Sequence, residues 1–318
     1  MERIRKLYKE RAGKYKSMAE HTGKKLLYLS LMRLFVFITG VALLIILWTV
    51  SQAAAVASFV AALIIFIFLL RSYAYQSFKK SFYENLQGIN EKELRGLDND
   101  QSPFYGGKEY IDPHHDFSHD IDLFGDNSLY QYLNRTCTGR GRDLLAEWLS
   151  SPSALSGDME KRQEAVRELA PMVAWRQEFN AYGMMGTTGI KDVDDFNAWL
   201  SEKSYYLDNV KYKILRFLMP ALALSTLILS IAGILHYSFF IMIFLVNLAI
   251  ISINMRVINN KHAMVTRKHN MLKTVRNLVS HFEDQDFKSQ YIRRLQKSMS
   301  TGSESASLSI KRLSRIIQ

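Results

Sequence analysis

Residues 34–70 read LFVFITGVALLIILWTVSQAAAVASFVAALIIFIFLL: two uncharged apolar runs, Leu34–Val50 and Ala53–Leu70, joined only by Ser51 and Gln52. A second pair follows at Phe217–Leu235 and Ser238–Met255, joined at His236-Tyr237. Each run holds 17 to 19 residues. At about 1.5 Å of rise per residue, that covers most or all of a hydrocarbon core about 30 Å thick. A helix in a soluble core would show a polar face at 3.6-residue spacing, and none of the four does. The pattern predicts four transmembrane helices in two hairpins.

Charge orients them. Residues 1–30 carry nine Lys or Arg (Arg3, Arg5, Lys6, Lys9, Arg11, Lys14, Lys16, Lys24 and Lys25) against three acids. Arg71, Lys79 and Lys80 follow the second run; Lys211, Lys213 and Arg216 precede the third; Arg256, Lys261, Arg267 and Lys268 follow the fourth. Neither turn inside a pair has a Lys or Arg. Positive flanks stay in the cytoplasm, so a multi-pass protein of the cytoplasmic (inner) membrane is expected, with both termini and the middle segment cytosolic. The long basic leader and the paired spans argue against a cleaved signal peptide.

The chain thus divides into a basic amphipathic leader (1–30), hairpin one (31–71), a first cytosolic part (72–208), hairpin two (209–256) and a second cytosolic part (257–318). The net charge of +11 is unevenly spread: residues 72–208 hold 14 basic and 23 acidic side chains, residues 257–318 hold 12 and 4. Opposite signs suggest that the last part packs on the middle one, or that its basic face meets lipid headgroups or nucleic acid. Lys261, Arg267, Lys268, Lys273 and Arg276 are the candidate contacts to DNA or lipid. The leader sets Ile4, Leu7, Tyr8, Arg11, Tyr15 and Met18 near one helical face, as in a helix lying on an anionic leaflet. Cys137 is the only cysteine, which fits a reducing cytosol and an ordinary buried thiol.

The cytosolic parts read as all-α. Loop chemistry fills residues 96–118, and Asp126-Asn127-Ser128 forms a capping cluster before Leu129, Tyr132 and Leu133. A helix starting after Gly141 stripes Leu144, Leu145, Trp148 and Leu149 and stops at Ser151-Pro152; another from Gly157-Asp158 keeps Ala165, Val166, Leu169, Val173 and Phe179 at 3–4 spacing. Val193, Phe196, Trp199 and Leu200 mark a fourth, and residues 257–282 extend the last membrane helix. The final segment, 303–318, places Leu308, Leu313, Ile316 and Ile317 at helical spacing and stops without a cap, as a chain cut within a helix would.

Residues 120–170 carry the most specific signal: Leu123, Phe124, Ser128, Leu129, Leu133, Asn134, Arg135 and Thr136, then Gly141, Arg142, Leu145, Trp148 and Leu149, then Arg162, Gln163, Ala165 and Val166. In order and spacing this stretch resembles the start of the core (lever) domain of the MutS family of DNA mismatch-repair ATPases. Ala306–Ile317 echoes the family's later segment leading toward the ATPase. Physically these positions are structural: Asn134, Arg135 and Thr136 sit at a helix end where side chains satisfy freed backbone groups, and Arg135 reaches carbonyls or a carboxylate. Gly141 permits a tight turn, and Trp148 and Leu149 anchor a core.

The chain also departs from the family. Membrane hairpins stand where the family has its mismatch-reading domain and its DNA clamp. Phe82-Tyr83-Glu84 repeats the letters of the family's Phe-x-Glu wedge, on a helix just outside the second span, and reads as a chance match. No Gly-x-x-x-x-Gly-Lys-Ser/Thr occurs; Gly106-Gly107-Lys108-Glu109 lacks the first glycine and the hydroxyl. The chain therefore has no catalytic motif and no cofactor site of its own. The resemblance implies ATP and magnesium in a downstream ATPase domain of the same protein, a homodimer, and double-stranded DNA as partner.

Other constellations are weaker. His114, His115, Asp116, His119, Asp120 and Asp122 match no defined metal spacing and read as a polar loop. Asp192, Asp194 and Asp195 read as first-turn helix acids. Asn247 and Asn254 suit interhelical hydrogen bonds, and Ala53, Ala57 and Ala61 form a ridge for close helix approach. The expectation is a membrane-anchored MutS-like fragment acting as structural lever and anchor. The alternative is a non-enzymatic membrane scaffold reusing the lever fold for protein contacts, with a small transporter third.

Overall fold

The computed structural model describes residues 1–151, 159–186, 210–231, 233–299 and 305–316. Among them every regular element is helical: α1 (Glu2–Trp48), α2 (Gln52–Leu97), a 3-10 turn (Lys108–Tyr110), α3 (Leu129–Leu133), α4 (Gly139–Ser150), α5 (Met159–Leu169), α6 (Val173–Gly183), α7 (Val210–Ile231), α8 (Tyr237–Glu283), α9 (Gln290–Met299) and α10 (Ala306–Ile316). The chain divides into two units, residues 1–188 with 274–311, and residues 189–273 with 312–318. The fourth helix of the sequence reading, around Val193 to Leu200, falls outside the described residues.

The first unit is built on the antiparallel pair α1–α2, each helix about 70 Å long at 1.5 Å per residue. Tyr8, Ala12, Tyr15, Ala19, Thr22, Leu26, Leu29, Arg33, Val36 and Gly40 of α1 are buried or half-buried. Their alternating four- and three-residue steps are the 3.5-residue repeat of helices that stay in register over many turns. Approach is closest where both sides are small: a Cβ on Gly40 would stand 2.7 Å from Ala62 Cβ. Ser51 caps α2 by accepting from the Ala54 N–H at 3.4 Å.

Two expectations change here. The leader is continuous with the first apolar run in α1, and of the face assigned to lipid Tyr15 is buried and Tyr8, Arg11 and Met18 are half-buried in the protein, while Ile4 and Leu7 stay exposed. Tyr15 packs with Leu86, Ile89 and Ala181, joined by Met18, Phe82 and Tyr83. The ridge of α2 that faces α1 is Ala55, Ser58 and Ala62, while Ala53, Ala57 and Ala61 point outward.

Four spans are expected, but among the described residues two helices, α1 and α2, are long and apolar enough to cross a membrane. Their most apolar windows have mean hydropathy 2.4 and 2.9 and are only 6% and 11% buried within the protein. Core helices of soluble proteins are mostly buried, so these outward faces lack a protein cover. Phe217–Ser230 and Tyr237–Ala249 are shorter apolar segments. In the second unit, α7 carries Pro220 inside the helix, and Ser314 Oγ lies 3.4 Å from His269 Nδ1.

The rest of the first unit gathers on the polar end of the hairpin. Ala165, Phe287 and Ile292 form a second core with Leu169, Met172, Trp175, Phe282 and Tyr291. The Glu168 carboxylate accepts the Lys288 and Ser289 N–H groups at 2.6 and 2.7 Å, satisfying free donors at the start of α9. Residues 281–299 therefore do pack on the middle segment, but through rings and a helix cap. Beside those contacts, His281 stands 4.0 Å from Glu178.

Candidate functional site

The motif residues Asn134, Arg135 and Thr136 lie at one corner, between the end of α2, the loop 104–130 and the start of α4. Asn134 ends α3, buried, and donates from Nδ2 to the Tyr105 carbonyl at 2.9 Å. Its Oδ1 accepts from the Thr136 N–H at 3.0 Å and the Thr136 hydroxyl at 2.7 Å, a turn closed by its own side chain. Arg135 is engaged on every side. Nε and Nη2 donate to Glu93 at 2.5 and 3.3 Å, Nη1 donates to the Tyr132 and Asn134 carbonyls, and the guanidinium carbon sits 3.5 Å from the Phe104 ring centroid. Asn180 of α6 donates to the Arg135 carbonyl at 2.8 Å, which ties a third helix into the corner.

The loop is held as tightly. Ser128 caps α3, accepting from the Gln131 N–H at 3.1 Å, and Gln131 Nε2 donates to the Phe104 carbonyl at 2.8 Å. Gly106 passes so close to Gly125 that a Cβ would meet the Gly125 carbonyl oxygen at 2.3 Å. Phe124 and Tyr110 pack against the buried ring of Tyr130, whose hydroxyl donates to the Arg142 carbonyl at 3.1 Å. Tyr110 OH donates to Asp143 Oδ1 at 2.6 Å. Burial, reinforced by that carboxylate, raises the Tyr110 pKa; burial, with the Glu109 charge added, pushes Tyr130 up to about 12. Both phenols stay protonated donors.

Other motif positions are distributed less evenly. Leu123 and Ala165 are buried; Leu145, Trp148 and Leu149 are half-buried; Leu129, Leu133 and Gln163 are exposed, and Val166 is 64% exposed. Gly141 does not make a turn: α4 begins at Gly139, and Thr138 caps it by accepting from the Gly141 N–H at 3.1 Å. Arg142 lies over the Tyr105 ring and Arg162 between Trp148 and Tyr291, 4.6 and 5.7 Å from their centroids. Lys273 is exposed and Arg276 half-buried on α8. The side chains of Lys261, Arg267, Lys268 and Asn254 lie outside the described residues.

A cleft of about 320 Å³ opens beside the corner, lined by Tyr8, Glu93, Arg135, Thr138, Trp175 and Phe179 among others. A neighbouring one of about 280 Å³ shares Glu93, Arg135 and Asn180. Neither holds an activated nucleophile. Cys137 packs on Gly183, and burial pushes its thiol up to about 11. Gly107 caps the 3-10 turn at φ 69° and Lys108 pairs with Asp126 at 2.6 Å, so this glycine pair closes a loop rather than cradling phosphate. His115 Nδ1 accepts from the Ser118 N–H at 3.2 Å, and among the described residues no group of three or more His, Cys, Asp or Glu converges to hold a metal ion. Phe82 of the Phe-x-Glu triplet is half-buried, its ring centroid 4.5 Å from that of Tyr182.

Glu93, Phe104 and Asn180, which set the corner, were not singled out from sequence. Each lies far along the chain from its motif partner, and nothing local marks an exposed-looking helix glutamate as the mate of Arg135. The pairing makes a double-mutant test direct. Arg135→Ala and Glu93→Ala are each expected to cost about 2 kcal/mol, because each strands a partly buried partner. The double variant should cost little more than either alone. Denaturant titration of the detergent-solubilised chain, read through Cys137 labelling, measures this; additive losses would refute the coupling.

The corner and the helices α3 to α6 that it joins can brace and transmit. Comparison with curated proteins finds no match, and neither does comparison with solved structures. Residues 115–231 match the family model described as MutS domain III, and that match supports a relationship between this chain and the MutS family.

Proposed function

We propose that this chain is the membrane-tethered lever of a MutS-like, mismatch-repair-related protein. Residues 34–70 cross the bilayer as a hairpin, residues 209–256 form a second one, and both termini with residues 72–208 lie in the cytosol of an inner-membrane protein. The lever links this anchor to a nucleotide-binding domain that uses ATP and magnesium. The protein works as a homodimer on double-stranded DNA, with Lys261, Arg267, Lys268, Lys273 and Arg276 as basic contacts. The observation that carries the reading is a single unit holding both residues 115–188, the first part of the MutS domain III match, and a hairpin whose apolar faces have no protein cover.

The expected result is that alkaline carbonate leaves the full chain in the membrane pellet, and that protease added to intact cells spares residues 72–208. Release into the supernatant, or cleavage from outside, sinks the anchor. A second reading, a scaffold without enzymatic work, is favoured by the way Arg135 and its neighbours are all engaged in internal contacts. Duplex binding decides between them. The lever reading expects affinity for DNA that falls steeply with salt, and a chain that binds no duplex at low salt belongs to the scaffold reading.

A further inference from the structure

Between Glu20 and Glu84 the chain has no carboxylate, yet it carries Lys24, Lys25, Arg33, Arg71, Lys79 and Lys80. The antiparallel pairing of α1 with α2 gathers these cations on one side of the apolar stretch, over a level about 15 Å deep. Two contacts fix that level. A Cβ on Gly23 would stand 3.5 Å from Lys80 Cε, and the Arg33 guanidinium lies 4.1 Å from the Tyr73 ring centroid. From Gly23 to Arg33 the rise is about 15 Å, and the uncharged stretch 34–70 begins immediately beyond.

The side chains at this level divide into two sets. Arg33 turns inward onto Tyr73, and Lys80 pairs with Glu84 at 3.0 Å. Lys24, Lys25 and Arg71 are exposed without a carboxylate, and Lys79 Nζ sits 4.8 Å over the Tyr75 ring. Tyr28 and Tyr75 are 64% and 56% exposed. Exposed tyrosines among long cationic side chains, at one edge of an apolar band, form the interfacial belt that seats rings at headgroup depth and amines at phosphate. The other edge, Thr49 to Gln52, has no cation.

We propose that this collar binds anionic phospholipid headgroups, with Lys24, Lys25, Arg71 and Lys79 meeting the phosphate and Tyr28 and Tyr75 flanking it. The proposal rests on the bilayer anchoring argued above. A lipid leaflet is the occupant, and free phosphate is not, because the cations border an exposed apolar band that only a ligand with acyl chains can follow. Each near-surface cation strengthens attraction to an anionic leaflet about fivefold, and salt screens that attraction.

The test titrates the full chain in detergent micelles with phosphatidylglycerol or phosphatidylcholine and counts retained lipid by native mass spectrometry. The wild-type chain should retain phosphatidylglycerol about tenfold more strongly, and K24Q/K25Q/R71Q/K79Q should bring the two lipids within about twofold. Should that variant fail to fold, the wild-type preference must still shrink at about 0.5 M salt. Equal retention of the two lipids, a preference indifferent to salt, or displacement by inorganic phosphate overturns the collar. A chain that stays in carbonate-washed membranes yet shows no preference defeats the collar alone. A chain stripped from those membranes defeats the anchor and the collar together.

Discussion

Trp175→Ala is expected to cost about 4 kcal/mol and to release residues 281–299 before anything else opens. The indole lies in the middle of the second core. It stacks on Phe179 and His281, both 5.4 Å away between centroids, and meets Phe287 edge-on at 5.2 Å. Its Nε1–H donates to the His281 carbonyl at 3.3 Å, and His281 Nε2 returns to the Trp175 carbonyl at the same distance. Truncation removes a large half-buried side chain with its contacts to three rings and deprives a backbone carbonyl of its donor, a combination within the range for loss of a large aromatic side chain.

The loss should be local as well as large. Hydrogen exchange in α9 and in the end of α8 should rise sharply, while the α1–α2 pair keeps its protection, because Tyr15, Leu86 and Ile89 belong to the other cluster. Gln163→Ala, on an exposed position of α5, serves as control and should change stability by less than about 0.5 kcal/mol. A loss under about 1 kcal/mol for Trp175→Ala, or exchange rising evenly through the unit, would show that residues 281–299 are held by something else.

Why the aromatic core was harder to foresee than the helices is itself physical. Helix type is written locally: the period of Tyr8 to Gly40, the Ser128 and Thr138 caps and the uncharged stretch 34–70 can each be read within a few turns of chain. Partners are not. Tyr15 finds Tyr83 and Arg135 finds Glu93 across long separations, and an amphipathic leader looks the same whether its face meets lipid or a second helix. Within an apolar run no polar residue marks a face, so Ala53-Ala57-Ala61 and Ala55-Ser58-Ala62 were equally good ridges on paper. The docking of residues 257–318 was inferred from opposite charge, but a count of charges cannot see Trp175 meeting Phe287. Val166 fitted the helical stripe and still faces outward, because α5 is covered on one side only.

Asn90→Ala should cost about 3 kcal/mol, although it removes no hydrophobic contact of note. Asn90 is 0% exposed, and its amide forms a reciprocal pair with Gln177 of α6: Gln177 Nε2 donates to Asn90 Oδ1 at 2.9 Å, and Asn90 Nδ2 donates to Gln177 Oε1 at 3.2 Å. Arg11 of α1 donates from Nε to the same Gln177 oxygen at 2.7 Å, and Asn90 Nδ2 also reaches the Leu86 carbonyl. One polar knot thus fastens α1, α2 and α6, at the place where the long hairpin meets the MutS-like helices. Removing Asn90 strands a buried Gln177 donor in a low-dielectric site, where an unmade hydrogen bond costs more than a made one contributes. Asn90→Ala with Gln177→Ala should therefore lose less than the two single variants added together, since no amide remains to be stranded. Thermal unfolding of the solubilised chain, followed through Cys137 labelling, gives all three values. Strict additivity would mean that the two amides act separately and that α6 is held to the hairpin by the Phe82–Tyr182 ring contact and its neighbours instead.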